Sequence, residues 1–270
     1  MLNLKVQHFC YTLMGIILTL PAHAHEYWLQ PDEYILQQEA LIQAHIKTGQ
    51  QFRGNNYAYL PRDVSSMDIH LGETSSPINA RFGDYPAISQ VALGEGINIL
   101  SATTFPTKLK YKKHEKFENF ARNEGIEWVL TEHKKRGLPR TGFNEIYRRY
   151  TKALVNVGAV SGNDKKIGHQ FEWVLMSNPY QGSHETLSAQ LWWQDKPLAH
   201  YQFRYFIQTG KTLTTDIAKT DKNGIATFPF SPRSTYMLNA VYMLIPTQDD
   251  AKKYKAVWDS RWASTTFATN

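Results

Sequence analysis

The stretch PAHAHEYWLQP (21–31) contains the residues of this chain that are best suited to chemistry. It places His23 and His25 between an apolar run and the first strand-like segment. If a signal peptide is removed after Ala24, His25 becomes the first residue of the working protein. A free α-amine and an imidazole both present lone pairs near neutral pH, so together they chelate one metal ion. The spacing therefore predicts a metal site at the processed amino terminus, with the neighbouring Glu26 as a weaker candidate ligand.

The preceding residues have the features of a cleaved secretion signal. Lys5 is their only formal charge, and the apolar run FCYTLMGIILTL leads to Pro21 and a small-x-small cleavage site. That run is shorter than the ~20 residues that a helix needs to span a bilayer. We predict a signal peptide over residues 1–24 and a periplasmic or secreted protein that is not embedded in the membrane. The single cysteine, Cys10, lies within the signal.

Cleavage two residues earlier, after Ala22, is the alternative. The mature chain would then begin His-Ala-His, with His25 third. In that position the amine, two backbone amides and the imidazole can surround Cu²⁺ or Ni²⁺ in a square plane, a geometry that both ions accept. Both cleavage points put histidine nitrogen beside a free amine, and the sequence leaves the choice between them open.

A three-nitrogen site needs another histidine from the fold. His45 and His70 are our candidates because each lies in a segment of alternating polarity, 40–47 and 66–71, and projects from its polar face. A single histidine on a strand is more often exposed or hydrogen-bonded than a ligand. Such a site suits Cu²⁺, Ni²⁺ or Co²⁺, and copper binds most tightly by intrinsic affinity.

Motifs of conventional enzymes are incomplete. HEYWL begins like a zinc-protease helix, but Leu29 stands where the second histidine is required, and TGKT (209–212) has Tyr205 where a phosphate loop needs glycine. The mature chain would contain no thiol. We therefore expect a binding protein without turnover.

The formal net charge is +6, and much of the excess lies in KLKYKKHEK (108–116) and HKKRGLPR (133–140). Such basic segments can bind nucleic acid or membranes, but they also occur as solvated helices and loops. Export makes nucleic acid an improbable partner, so we predict none.

Hydrophobic periodicity predicts a mainly β protein. Short alternating segments before residue 104 and again after residue 169 are typical of antiparallel strands, and the second series is spaced like an immunoglobulin-like or transthyretin-like sandwich. Between them, 114–150 has apolar residues at helical spacing, including Phe143, Ile146, Tyr147 and Tyr150. We predict two antiparallel β-sandwich-like domains, 25–180 and 181–270, with a helical insertion near 114–150.

The histidine start and a series of ordered motifs resemble an uncharacterised bacterial family. That family is a domain of unknown function, often labelled the periplasmic component of ABC-type cobalt transport or nickel uptake. The matching stretches run in order along the chain: YRRYTK (147–152) before LVNVG, GHQFE (168–172) with Asn178-Pro179, DKPLA (195–199), DKNG (221–224) with Phe228, and WDSRWASTTF (258–267).

The resemblance implies a periplasmic protein that binds or delivers a transition metal, with an ABC transporter as a partner. The metal it implies is nickel or cobalt, and copper is possible. It assigns a metal role only as far as His25 and Glu26. Two other functions remain open. One is a copper-dependent oxidase that uses the same terminal histidine. The other is a non-catalytic β-sandwich module that binds a carbohydrate or a partner protein, for which Trp192 and Trp193 are candidate contacts if they are exposed.

Overall fold

The computed structural model describes residues 26–182 and 185–270. The predicted signal peptide, His23 and His25 lie outside the described residues. Strands and helices are numbered in chain order. Within the described ranges, no helix is both long and apolar enough to cross a lipid bilayer.

The strands form three sheets. The N-terminal sheet has four strands: β1 Glu26–Pro31, β3 Leu41–Gln50, β4 Arg53–Tyr57 and β7 Ile88–Val91. The C-terminal sheet also has four: β11 Phe171–Leu175, β12 Thr186–Trp193, β13 Lys196–Pro197 and β16 Ile225–Pro229. The central sheet has ten: β2 Ile35–Leu36, β5 Val64–Leu71, β6 Thr74–Pro77, β8 Gly96–Thr104, β9 Thr107–Tyr111, β10 Phe143–Val157, β14 Gln202–Thr209, β15 Thr212–Lys219, β17 Ser234–Leu244 and β18 Ala256–Ala268.

Three helices complete the described fold: α1 His114–Asn123, α2 Trp128–Lys135 and α3 Gln248–Tyr254. The mainly β class is confirmed. The helical region, however, ends at Lys135, and the prediction of helix from Phe143 to Tyr150 is wrong. These residues begin the 15-residue strand β10.

The cause of that error is the position of β10 in the middle of the molecule. One face, with Ala153, Val155 and Val157, packs on the N-terminal sheet, and the other, with Tyr150 and Leu154, packs on the C-terminal sheet. A strand covered on both faces carries apolar residues at odd and even positions alike. Such a run can match a helical pattern, because periodicity does not distinguish a buried strand from a buried helix segment.

The central sheet has layers on both faces. The N-terminal sheet covers one face around Leu29, Ile42 and Ile69. Helices α1 and α2 cover the same face further along, with Phe117 against Trp258. The C-terminal sheet covers the opposite face. Each interface is a mainly apolar layer, which is the expected way for sheets and helices to bury their hydrophobic faces.

The central sheet contains strands from both sides of residue 180. Its order is β15-β14-β17-β18-β10-β8-β5-β6, and β10 pairs with β18 in parallel from Asn144↔Ala256 to Ala153↔Thr266. The sandwich on each side therefore shares this sheet with the other. The boundary at 180/181 stays a prediction.

Candidate functional site

The described chain begins with Glu26 at the start of β1, and this residue lies in an acidic cleft. In β1, Glu26 pairs with Gly49 of β3, next to the tight turn that joins β3 to β4. A Cβ at Gly49 would lie 1.9 Å from the Arg53 carbonyl oxygen, so only glycine fits this crossing of the hairpin. The turn thereby comes close to the Glu26 carboxylate.

The turn itself has an unusual backbone. Gln51 and Phe52 adopt φ values of +53° and +56°, in the left-handed region that costs a non-glycine residue roughly 1–2 kcal/mol. Packing holds the conformation in place, since the Phe52 ring lies 5.5 Å from Trp28 and 6.3 Å from Phe206. A two-residue hairpin turn that matches the twist of its strands requires positive φ at both central residues. Here it places Gln51 on the rim of the cleft.

The cleft has a volume of about 470 Å³. It is bounded by β1, the β3–β4 turn, the end of α1 and the edge strand β15. Its lining residues are Glu26, Gln50, Gln51, Asn123, Arg204, Thr215, Asp216 and Ile217.

Arg204 is the cation of the cleft. Its Nη1 lies 3.6 Å from Glu26 Oε1 and 3.8 Å from Glu124 Oε1, and its Nη2 donates a hydrogen bond to the Asn123 carbonyl oxygen at 3.1 Å. Asp216 also lines the cleft, but its carboxylate accepts a hydrogen bond from the Tyr205 hydroxyl at 3.2 Å, on the face of β14 opposite Arg204. One guanidinium thus faces two carboxyl groups, those of Glu26 and Glu124, so the cleft has one carboxyl group in excess.

Glu26 is the buried member of this group, with 5% of its surface exposed. Burial raises the pKa of its carboxyl group to about 7, Glu124 adds to the rise, and Arg204 opposes it. Its Oε2 has no hydrogen-bond partner among the described residues. Most buried polar atoms in proteins are hydrogen-bonded, and an exception calls for an explanation such as a bound ion.

His45 does not lie in this cleft. It sits on β3 opposite Gln30, four positions from Gly49, which is roughly 13 Å along a strand. Its Nε2 lies 3.2 Å from Asp32 Oδ1, and its ring packs edge-on against Tyr85 at 5.2 Å. It therefore has its own partners in the described fold.

His70 lies in a different sheet, on β5, where its Nε2 is 3.1 Å from the Ser101 hydroxyl. Burial lowers the pKa of His70, as do Lys165 and Lys152, against the opposing effect of Asp68. The structure thus separates Glu26, His45 and His70. Among residues 26–182 and 185–270, no group of three or more His, Cys, Asp or Glu side chains is arranged to hold a metal ion.

Sequence reasoning missed Arg204 and Glu124, which meet Glu26 in the cleft. Strand alternation does place Arg204 on the face of β14 opposite Phe203 and Tyr205, which are buried. Nothing local indicates that this face meets β1, because that contact depends on how the N-terminal sheet packs across the central sheet.

A second buried charged cluster surrounds Lys152 of β10, which we call the Lys152 cluster (Lys152, Asp164, Glu172). Lys152 Nζ lies 2.6 Å from Asp164 Oδ1 and 3.8 Å from Glu172 Oε2, and it donates hydrogen bonds to the Lys165 and Trp173 carbonyl oxygens, both at 2.9 Å. Lys152 is 1% exposed. Its ammonium group holds the 158–170 loop against the sheet.

A third charged cluster joins the two central strands. Arg148 of β10 donates hydrogen bonds to Asp259 of β18 at 2.8 Å and to Asp250 of α3 at 2.7 Å. Arg261 contacts the same Asp259 and donates to Gln170 at 2.9 Å. The motifs YRRYTK and WDSRWASTTF are therefore neighbours in the centre of the fold, where they pair in register as Arg148↔Arg261.

The comparisons with known proteins identify the family. A family model described as a domain of unknown function, DUF4198, matches residues 22–244. The match covers most of the chain, and the protein belongs to this family. The family's description names no transport role, metal or reaction.

Other comparisons add little. No curated protein sequence matches the chain. One solved structure that matches is "Crystal structure of tetra-tandem repeat in extending region of large adhesion protein", with 10% identity and a TM-score of 0.19. The match covers 90% of this chain and 49% of that one, so this chain spans about half the length of that structure.

Proposed function

We propose that this protein is an exported metal-binding protein, which holds a divalent transition metal at the start of its mature chain. The ligands would be the α-amine and imidazole of His25, together with the carboxylate of Glu26. The observation that carries the proposal is the buried Glu26 carboxyl group, which has one oxygen without a partner among the described residues and lines an acidic cleft.

Covalent connection supports this ligand set. His25 directly precedes Glu26, and consecutive Cα atoms are about 3.8 Å apart. A chelate formed by a terminal histidine would therefore lie within reach of the same cleft. The two carboxyl groups of Glu26 and Glu124 outnumber the one guanidinium there, which favours a cation electrostatically.

The types of ligand atom in this set limit which metal ions it can bind. Two nitrogens and one carboxylate oxygen suit Ni²⁺, Co²⁺ and Cu²⁺, and copper binds such sites most tightly by intrinsic affinity. We propose nickel or cobalt as the physiological ion and an accessory role in uptake, with delivery to a membrane transporter in the periplasm. This last part of the proposal depends on the resemblance of the motifs alone.

The test is a metal titration of protein exported through its own signal. Native mass spectrometry first gives the mature start and any bound ion, and calorimetry with Ni²⁺, Co²⁺ and Cu²⁺ then gives affinities. We expect His25→Ala to weaken binding by at least about 100-fold and Glu26→Gln by at least about tenfold, because loss of residues that only support metal ligands already costs about 10–100-fold. Glu33→Gln is the matched control, because Glu33 is an exposed carboxylate outside the cleft.

The pH dependence sharpens the test. A carboxyl group whose pKa is about 7 must lose its proton when it binds a metal. Affinity should therefore rise from pH 6 to pH 8, and Glu26→Gln should make that rise less steep. Equal affinities in His25→Ala and the wild type would refute the proposal.

A further inference from the structure

A second cavity lies at the edge of the interface between the N-terminal sheet and the central sheet. Its volume is about 320 Å³. Strands β1, β3 and β4 contribute one wall, and β5, β8, β9 and β10 contribute the other. It shares no lining residue with the acidic cleft. The inference below is thus independent of the proposed metal site.

The walls of this cavity are mostly apolar. Ile46 and Val64 are buried core residues that reach its inner end, and Leu109 is half-buried at its side. The rings of Tyr27 and Tyr147 form part of the lining. Small-molecule sites commonly have volumes of roughly 300–1,000 Å³ with apolar walls and few polar groups. This cavity is at the small end of that range, so it suits a ligand of about one ring.

Arg149 supplies the positive charge within this apolar lining. Its guanidinium carbon lies 4.3 Å from the centre of the Tyr147 ring and 5.2 Å from that of Tyr27. Its backbone N–H donates to the Thr104 hydroxyl at 3.0 Å, which fixes the strand at this point. A guanidinium stacked on aromatic rings keeps its N–H donors in its own plane, where a planar acceptor can meet them.

Strand alternation separates Arg149 from its neighbour in the sequence. Arg148 points to the opposite face of β10, where it holds the carboxylates of Asp259 and Asp250. Arg149 points to the cavity, beside tyrosine rings. The double arginine of the YRRYTK motif therefore divides into one residue that joins strands and one that faces a cavity.

From this arrangement we infer that the cavity is a binding site for a small organic monocarboxylate with an aromatic or branched aliphatic body. The carboxylate meets the guanidinium of Arg149 in the bidentate geometry that arginine favours. The apolar body lies against Leu109, Ile46 and Val64. Asp63 stands at the rim with 59% of its side chain exposed, and its charge disfavours a ligand with a second carboxylate.

The experiment uses phenylacetate as the probe and phenylacetamide as its uncharged counterpart, both titrated into the exported protein and followed by calorimetry and ligand-observed NMR. We expect phenylacetate to bind and phenylacetamide to bind at least about tenfold more weakly. Arg149→Gln should abolish this difference. Arg62→Gln is the control, since Arg62 is an exposed arginine near the rim that does not line the cavity.

A second variant keeps the test decisive if Arg149→Gln folds poorly. Leu109→Trp fills the cavity from a half-buried position and leaves Arg149 in place, and it should remove the binding of both probes. Metal binding in this variant should equal that of the wild type. The inference fails if neither probe binds at millimolar concentration, if both bind equally well to the wild type, or if Leu109→Trp still binds phenylacetate.

Discussion

The Lys152 cluster and the acidic cleft at Glu26 both bury carboxyl groups, but only in the Lys152 cluster are the carboxylate oxygens fully paired. In the Lys152 cluster, Asp164 accepts backbone hydrogen bonds from Lys165 and Leu175, both at 2.8 Å, in addition to its ion pair at 2.6 Å. At Glu26 the nearest guanidinium nitrogen is 3.6 Å away, and Oε2 has no hydrogen-bond partner in the described part of the chain.

This difference separates a structural role from a binding role. A carboxylate whose acceptor sites are filled stabilises a fold and has no capacity for a ligand. A buried carboxylate with an unpaired oxygen costs free energy that a cation can recover. The predictions below test whether the two regions differ as their hydrogen bonds indicate.

The largest expected effect comes from Lys152→Met. The change leaves Asp164 and Glu172 buried without their cation, which typically costs about 3–5 kcal/mol. Urea unfolding followed by tryptophan fluorescence measures the loss. Lys165→Met is the control, because the ammonium group of Lys165 reaches only an exposed carboxylate at 3.6 Å, and it should cost less than about 0.5 kcal/mol. If the two variants lost similar free energies of unfolding, the Lys152 cluster would not have the structural role that its hydrogen bonds indicate.

The next largest effect is expected from Glu26→Gln. Between pH 5 and pH 8, the wild type should lose about 2 kcal/mol more of its free energy of unfolding than the variant does. The carboxyl pKa is raised from 4.5 to about 7 in the folded state. Its proton therefore stabilises the fold at low pH, and that contribution is lost as the pH rises through 7. Glutamine stays neutral, so the stability of the variant relative to the wild type should increase towards pH 8.

Chemical denaturation of both proteins at the two pH values, without metal, measures this gain. Asp216→Asn serves as the control, because that carboxylate is exposed on the edge strand β15. A Glu26→Gln variant that lost stability relative to the wild type at pH 8 would show that the carboxylate is already well paired.

A smaller effect concerns His169, which lies beside the Lys152 cluster. Burial, with Lys152 and His70 adding to it, lowers the pKa of His169 to about 3. The unfolded chain takes up this proton near pH 6.5 and the folded protein does not, so stability falls as the pH drops from 6.5 towards 3. The loss should be roughly 1 kcal/mol between pH 6 and pH 5.

NMR titration of the histidine ring protons tests this directly. His169 should remain neutral at pH 5, and His169→Gln should remove part of the acid sensitivity of unfolding. Titration of His169 near its ordinary pKa would mean that burial does not disfavour the charged form of this imidazole.

Local sequence was sufficient for much of the secondary structure. Ile42, Ala44 and Ile46 alternate with polar residues, and the predicted strand there is confirmed as β3. Phe117, Phe120 and Ala121 form one buried helical face, as their spacing predicted. Each pattern arises from one face of one element against one layer, so the side-chain period reveals the backbone conformation.

The same reasoning failed at Phe143–Tyr150 because both faces of β10 are covered. Phe143 and Tyr147 pack against the cluster around α1 and α2, whereas Tyr150 packs against the C-terminal sheet, so two separate layers decide the burial of that segment. The resemblance drawn from YRRYTK and the other motifs nevertheless identified the family correctly, and the structure shows YRRYTK and WDSRWASTTF on adjacent central strands.

For the candidate site, the sequence by itself determined the chemical types: a histidine and a glutamate beside a predicted cleavage point, and two adjacent arginines in one motif. Only the tertiary structure decided their surroundings. It brought Arg204 and Glu124 to Glu26 and kept His45 and His70 away. It also directed the Arg149 side chain towards a cavity, while Arg148 joins two strands. The reason is physical. Residue type and local alternation set which face a side chain occupies, whereas the packing of distant strands sets what that face meets.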